Sequence, residues 1–542
     1  MYSNKFLKST SVLALAVLVL ASCSSEDTLT SDWIESNTTE SSYSFGSLDP
    51  SKMISVGASF TAGYHDGGLF QSGQANAFPS IVANQLSLVN QSTTGTPLGD
   101  TPLLFNNPNT VSSVGTGRIA IDLAAALAFL ENGQGSLGDA LVNTPGDGLT
   151  PNTNSPINNF GVPGLRAIDV AVQGYGSVNP YFGAFQSGQT ASVLGDAVAA
   201  NPSFFTVFLG GNDVLGYSLA GGVNDESNPL DPTTISSVAN FSAAINGTLD
   251  ALTANGAHGV ILNVPPVTLM PYFQVATQLS GGVKLLPAGS IDAATAGYLN
   301  SVNAYGAYNA GIDQVLAAGA ITQAEATRRK INFEGGAANA PVITDESLTD
   351  LSGFNLPSIR QASAGNPALG IPADIFPLDA IFVIGVPQGD GSVYGVSAPL
   401  PDQYTLTASE QAKILTAVGT FNAIIAQQAS ARSNVTLVDT HPLVADLFGL
   451  SSAQAAALGF SGAGVQAADG VQGVEVGGIN MVPISLSSAQ LYNSVWSTDF
   501  VHLNPRGSAM LANEIIKVLN ATYGANIPEV DPLTFEPINA PF

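Results

Sequence analysis

Short apolar runs that end in glycine or a turn alternate with longer stretches of helical period along this chain. Residues 53–56, Met-Ile-Ser-Val, break at Gly57 and read as a strand running into a tight turn. Ala75–Leu88 follows with an apolar face at helical spacing. Phe204–Leu209 reads as a buried strand ahead of Gly210 and Gly211, and Phe241–Thr253 as a helix. Residues 259–264 read as a strand stopped by Pro265 and Pro266. A helix over Ser409–Ala429, a strand over Val435–Asp439 and a helix over Gly507–Tyr523 close the series. Strands alternating with helices predict an α/β fold, a mostly parallel sheet covered on both faces.

Elsewhere the pattern loosens. Val89–Phe160 mixes a helical piece, Ile119–Leu130, with Gly/Pro/Asn-rich loop, and the alternation is diffuse from Val267 to about Ile371, apart from helical period over Ala293–Ala317. Regularity resumes with the apolar run Ile381–Gly385. No clean boundary divides the chain, so residues 51–542 read as one domain with large insertions around 89–158, 267–380 and 445–490.

The first 22 residues are expected to lie outside the fold. Lys5 and Lys8 precede the apolar stretch Val12–Ala21, too short to span a bilayer but suited to a signal-peptide core. Leu20-Ala21-Ser22-Cys23 resembles a bacterial lipobox, and Cys23, the chain's one cysteine, has no disulfide partner. The resemblance implies lipid attachment at Cys23. Residues 23–50 then read as a lipidated, polar tether, with Ser24-Ser25-Glu26-Asp27 resembling the acidic export signal of surface lipoproteins in some Gram-negative bacteria. The expected location is the cell envelope of a Gram-negative bacterium, at the outer membrane, and the membrane face is not legible in the chain. Net charge sharpens the choice of partners. With 14 basic against 40 acidic residues, a formal charge of −26, nucleic acid is a poor partner, since phosphate binding needs concentrated positive charge.

Three positions carry candidate chemistry. Ser59 sits just past the break at Gly57, Asn212 just past two glycines, and Asp499 with His502 on a turn before the last helix. Each falls where regular structure hands over to a loop, and open α/β sheets carry their sites at the carboxyl ends of strands. A serine hydroxyl needs a base within hydrogen-bond reach, and an imidazole oriented by a carboxylate suits it. Of the four histidines, His258 and His441 each adjoin a strand and suit turn or surface roles. His65 is close to Ser59 in sequence, but one short loop has trouble setting nucleophile and base face to face; it is expected to line the entrance at most. His502 has Asp499 three positions before it, although an isolated D-x-x-H also describes a surface acid and a capping histidine. An oxyanion needs donors. The Ser59 N–H, the unobstructed Gly164 N–H and the Asn212 amide can supply them, while Asn212 alone is equally a helix cap.

Together, Gly57-Ala58-Ser59-Phe60, Asn159 to Gly164, Gly210-Gly211-Asn212-Asp213 and Asp499-Phe500-Val501-His502 resemble, in order, the four blocks of the SGNH/GDSL hydrolases, a serine esterase–lipase family. The resemblance spans Met53 to the C-terminal helix. It implies a three-layer α/β/α flavodoxin-like sheet, no cofactor and no required metal. It implies Ser59 as nucleophile, His502 as base, Asp499 as orienting acid, and Ser59, Gly164 and Asn212 as oxyanion donors. Two departures stand out: Ala58 and Phe60 replace the acid and leucine of the family's namesake block, and the chain is much longer than compact members. The late segments around Pro401–Thr407, Phe421-Asn422 and Ile527–Val530 resemble a lipoprotein branch described as lipase/acylhydrolase-like.

The expected activity is hydrolysis of carboxylic esters, lipid or other acyl esters, through an acyl-enzyme. Phe60, Tyr64, Leu69, Phe70 and Phe160 are candidate lining for an acyl groove, with core packing as their other reading. Removal of acyl groups from exported glycans is the alternative substrate class. A surface lipoprotein that only binds is a third reading, opposed by the presence of all five groups. Oligomeric state is not legible in the chain.

Overall fold

Alternation of side chains along five short strands determines how the layers assemble. The computed structural model describes residues 43–94, 105–109, 117–122, 124–125, 140–145, 156–223, 228, 230–279, 282–366, 372–448, 474–476, 479–482 and 491–539. Strands β1 (Met53–Gly57), β2 (Asn159–Gly161), β3 (Phe204–Phe208), β4 (His258–Leu262) and β5 (Val435–Val438) form one sheet in the order β2-β1-β3-β4-β5. Every pairing is parallel. Successive residues of a strand face opposite sides, and the core divides accordingly. Met53, Phe204 and Val260 pack with Leu86 of α2 (Phe78–Thr94) and Ile516 of α6 (Pro505–Tyr523). Their neighbours Ile54, Phe205 and Ile261 pack with Phe241 of α4 (Val238–Thr253) and Phe421 of α5 (Ala408–Ser430). Phe241 and Phe421 stack at 3.9 Å between centroids. The result is a parallel sheet between two helical layers, with each fully buried aliphatic or aromatic side chain contributing about 1.5–3 kcal/mol.

Two shorter helices complete the elements near the strand ends: α1 (Ser59–Ala62) after β1 and α3 (Asn212–Leu219) after β3. Terminal helix α6 starts cleanly, because the Asn504 side chain accepts the Gly507 N–H at 3.0 Å and Pro505 holds the first helical position.

Several expectations differ from what forms. The piece over Ile119–Leu130 is not helical at its start: Gly117–Ile121 pairs as an antiparallel hairpin with Leu141–Pro145. Ile381 and Phe382 belong to a 3₁₀ turn, Leu378–Phe382, that packs against Val275 and Ala276 rather than entering the sheet. The long helical stretch is two helices, Ala293–Leu299 and Tyr305–Ala317, broken by Asn300–Ala304. The region 286–396 gathers its own apolar cluster, including Ile312, Phe333 and Val342. Cys23 and the signal-peptide region lie outside the described residues. Among those described, no helix is long and apolar enough to cross a membrane.

Candidate active site

Parallel register brings three loops to one end of the sheet. Gly57, the last residue of β1, pairs with Gly161 of β2 on one side and Phe208 of β3 on the other. Ser59, Gly164 and Asn212 therefore leave adjacent strands within a few residues of one level. Strand order also reverses here, with β2 on one flank of β1 and β3 on the other, the crevice where open α/β sheets bind ligands. Close packing makes glycine necessary at two points. A Cβ on Gly57 would lie 2.1 Å from Thr61 Oγ1, and one on Gly161 would lie 2.3 Å from the Ala62 nitrogen. Without side chains there, α1 settles directly on the strand ends. Asn159 stitches β2 to α1, donating from Nδ2 to the Thr61 carbonyl at 2.9 Å.

Ser59 opens α1, so its N–H falls outside the helix's own ladder. Its side chain meets His502: Oγ and Nε2 are 2.9 Å apart. The other ring nitrogen of His502 lies 3.0 Å from Asp499 Oδ2. Asp499 is held in turn. Its Oδ1 accepts the Val501 and His502 N–H groups at 2.9 Å each, and its Oδ2 accepts the Gly67 N–H at 3.0 Å. Burial works against its charge, but His502 beside it and these N–H donors hold the carboxyl well below the usual carboxylate range. Between the two residues, Phe500 adopts φ of +60°, rare for a bulky side chain, and is fully buried against Ile121, Val275 and Leu378. That anchor folds the turn so that Asp499 and His502 face each other.

Asn212 and Gly164 sit on loops that bind each other. Asn212 donates one amide hydrogen to the Leu165 carbonyl at 3.0 Å. Its neighbour Asp213, fully buried, accepts the Ala167 N–H at 2.7 Å. Burial pushes the Asp213 carboxyl up to about 6 despite that N–H. Gly164 is exposed, with φ of +80°. Reading the sequence does not give Asp213 a role of its own; its adjacency to Asn212 is the available signal.

His65 is not at an entrance. It is 3% exposed, with its ring edge-on to Phe70 at 4.6 Å. Its Nδ1 lies 3.1 Å from Asp66 Oδ2, although neither ring nitrogen attains good hydrogen-bond geometry. His258 is exposed at the start of β4. His441 is buried beyond β5 with Asp439 at 3.3 Å, and burial lowers its pKa against that carboxylate's pull.

Two walls flank the Ser59–His502 contact. On one, Tyr64 lies 4.8 Å from the His502 ring and edge-on to Tyr181 at 6.2 Å. Burial, with Tyr181 and Asp499 nearby, pushes the Tyr64 phenol up, so it stays protonated. On the other, Phe60 and Leu503, each next in sequence to a member of the contact, border an apolar cavity of about 50 Å³ whose lining also includes Trp496, Leu269 and Leu443. Of the aromatic and apolar residues named as candidate groove lining, Phe60 borders this cavity, whose lining includes neither Ser59 nor His502. Leu69, Phe70 and Phe160 are instead 3–6% exposed, packed in the core.

Among the described residues, the acidic group with ligand atoms close enough for a metal ion is Glu346, Asp402 and Glu410, within 4.8 Å of one another. It includes neither Asp499 nor His502. Burial, reinforced by the neighbouring carboxylates, raises Asp402, and burial pushes Glu410 up to about 7. Comparison with known proteins yields no match: no family model, no curated protein and no solved structure matches this chain.

Proposed function

We propose that this protein is a serine-dependent carboxylic ester hydrolase of the SGNH type, with a flavodoxin-like strand order. The observation that supports the reading best is the continuous Ser59–His502–Asp499 hydrogen-bonded chain, placed where β1 is flanked by the loops of Gly164 and Asn212. In the first step, Ser59 Oγ attacks the ester carbonyl carbon while His502 Nε2 takes its proton. The oxyanion is met by the Ser59 and Gly164 N–H groups and by the second amide hydrogen of Asn212, the first being engaged by Leu165. His502 then protonates the departing alcohol, and the acyl group remains on Ser59. Water repeats the sequence and releases the acid. Asp499 stays ionised throughout, holding the proton on Nδ1 so that Nε2 is free to accept.

The apolar cavity bordered by Phe60 and Leu503 supports an aliphatic acyl group as the portion bound beside Ser59. No cofactor enters this scheme. A fluorophosphonate should label Ser59 alone, and Ser59→Ala should abolish hydrolysis of p-nitrophenyl esters while the protein stays folded. Label on another residue, or full activity in the variant, refutes the assignment. Anchoring through Cys23 at the outer membrane belongs to the same proposal. Cys23→Ser should move the protein from the membrane to the soluble fraction, and an unacylated mature wild-type N-terminus by mass spectrometry refutes it.

A further inference from the structure

Asp66 lies outside the Ser59–His502–Asp499 chain but grips the segment that carries Asp499. The residue is 1% exposed and adopts φ of +51°. Its Oδ1 accepts the Thr498 N–H at 3.1 Å and lies 3.0 Å from Thr498 Oγ1. Its own N–H donates to Ser497 Oγ at 3.1 Å. The next residue, Gly67, supplies the N–H that reaches Asp499. Thus one short stretch of the loop after α1 contacts residues 497, 498 and 499 in succession.

The carboxylate is balanced from a third direction. Arg118, on the hairpin inserted between β1 and β2, donates to Asp66 Oδ2 from Nε at 3.2 Å and Nη2 at 2.9 Å. The same hairpin binds the backbone, with Ile119 N donating to the Asp66 carbonyl at 2.8 Å. Thr498 Oγ1 also lies 2.6 Å from the Ile119 carbonyl, so its one proton is shared between hairpin and carboxylate. Burial opposes the charge of Asp66, but His65, Arg118 and the Thr498 N–H outweigh it and keep the carboxyl ionised. A buried charge with this many partners is costly to assemble and strongly destabilising to break. No step of ester hydrolysis uses it.

We propose that Asp66 is a positioning residue for the Asp499–His502 pair, clamping segment 497–499 to the loop after α1, with Arg118 of the inserted hairpin as its counter-charge. The inference rests on the hydrolase reading. On that reading, the insertion between β1 and β2 holds the orienting acid in register with the imidazole. Errors of about 1 Å in such placement cost on the order of 100-fold in rate.

Asp66→Asn keeps the size of the side chain and removes its charge. Measured per fluorophosphonate-titrated site, kcat on p-nitrophenyl butyrate should fall about 10- to 100-fold with KM within about twofold. The acid limb of the kcat–pH profile should move to lower pH, because a misaligned Asp499 stabilises the imidazolium less. Thr498→Val should act in the same direction, and Thr498→Ser should restore most of the loss. This pair decides the matter if Asp66→Asn does not fold. Wild-type kcat and pH profile in titrated Asp66→Asn, even with a lowered Tm, overturns the proposal, as does wild-type kinetics in Thr498→Val. Full activity in Ser59→Ala would instead remove the hydrolase reading beneath it.

Discussion

Replacing Asp499 with asparagine tests the proposed mechanism at the point where geometry predicts the outcome most narrowly. The carboxylate accepts four hydrogen bonds: Oδ1 from the Val501 and His502 N–H groups, Oδ2 from the Gly67 N–H and His502 Nδ1. An asparagine must set its NH₂ at one of these positions. At the Oδ1 position it would oppose two backbone donors, each costing about 1–3 kcal/mol when left unmade. At the Oδ2 position it opposes one, Gly67, so the second orientation wins with a stability loss of about 1–3 kcal/mol. There the amide donates to His502 Nδ1, which forces the ring proton onto Nε2, facing Ser59 Oγ. A base already carrying that proton cannot take the serine's. Losses of about 10⁴-fold in kcat accompany such tautomer inversion, or ~5.5 kcal/mol at about 1.36 kcal/mol per decade. Steady-state kinetics on a short-chain p-nitrophenyl ester would measure it, with circular dichroism confirming the fold. A kcat within tenfold of wild type refutes the reasoning. The acid's stability term has its own sign. Its folded pKa is depressed, so the stabilisation is present above the unfolded value near 3.9 and is lost as pH falls below it. Wild-type Tm should therefore drop more steeply than that of Asp499→Asn below about pH 4.

Three further outcomes are expected. Asn212→Ala removes the proposed side-chain oxyanion donor together with the bond to Leu165, and should lower kcat by about 10²- to 10³-fold with little change in KM; unchanged kcat excludes the role. Leu443→Trp should fill the cavity beside Phe60, where each buried methylene is worth about 0.8 kcal/mol, roughly fourfold in kcat/KM. The variant should flatten the rise from acetate to hexanoate, and an unaltered chain-length profile places the acyl group elsewhere. Asp402, raised by burial beside Glu346 and Glu410, binds its proton more tightly folded than unfolded. Its stabilisation is full below about pH 4 and lost as pH rises through the folded value. Asp402→Asn should therefore raise Tm at pH 8 and leave it nearly unchanged at pH 4; a lower Tm at pH 8 contradicts this.

Four of the five central strands and the helices that cover them were legible because their signals are local, whereas β2, only Asn159–Gly161, is too short to show a period. Met-Ile-Ser-Val before Gly57 and the apolar run from Phe204 announce strands whose two faces are both buried, and the period of residues 409–429 announces a helix with an apolar stripe. The same local signals misled where neighbours decide. Ile119 lies in a stretch that suits a helix, yet pairing with Asn143 across the hairpin makes it a strand. Ile381 and Phe382 lie in an apolar run, yet packing against Val275 and Ala276 sets them in a 3₁₀ turn.

Local sequence was enough to set which residue types stand at strand ends: Ser59, Gly164, Asn212, and Asp499 with His502 before the last helix. It was also enough to leave room at Gly57 and Gly161 for α1 to approach, since a missing side chain is a property of the chain alone. That these positions meet is a property of the packed fold. Ser59 and His502 are 443 positions apart, and their 2.9 Å contact depends on the parallel register of three strands and on the buried, strained Phe500. Packing also made His65 part of the core, set Phe60 rather than Phe160 beside a cavity, and brought Asp66 to Thr498. The physical reason is common to all of these. Periodicity and turn chemistry act over a few residues, whereas burial, ion pairing and hydrogen-bond geometry depend on which distant segments the packed sheet sets side by side.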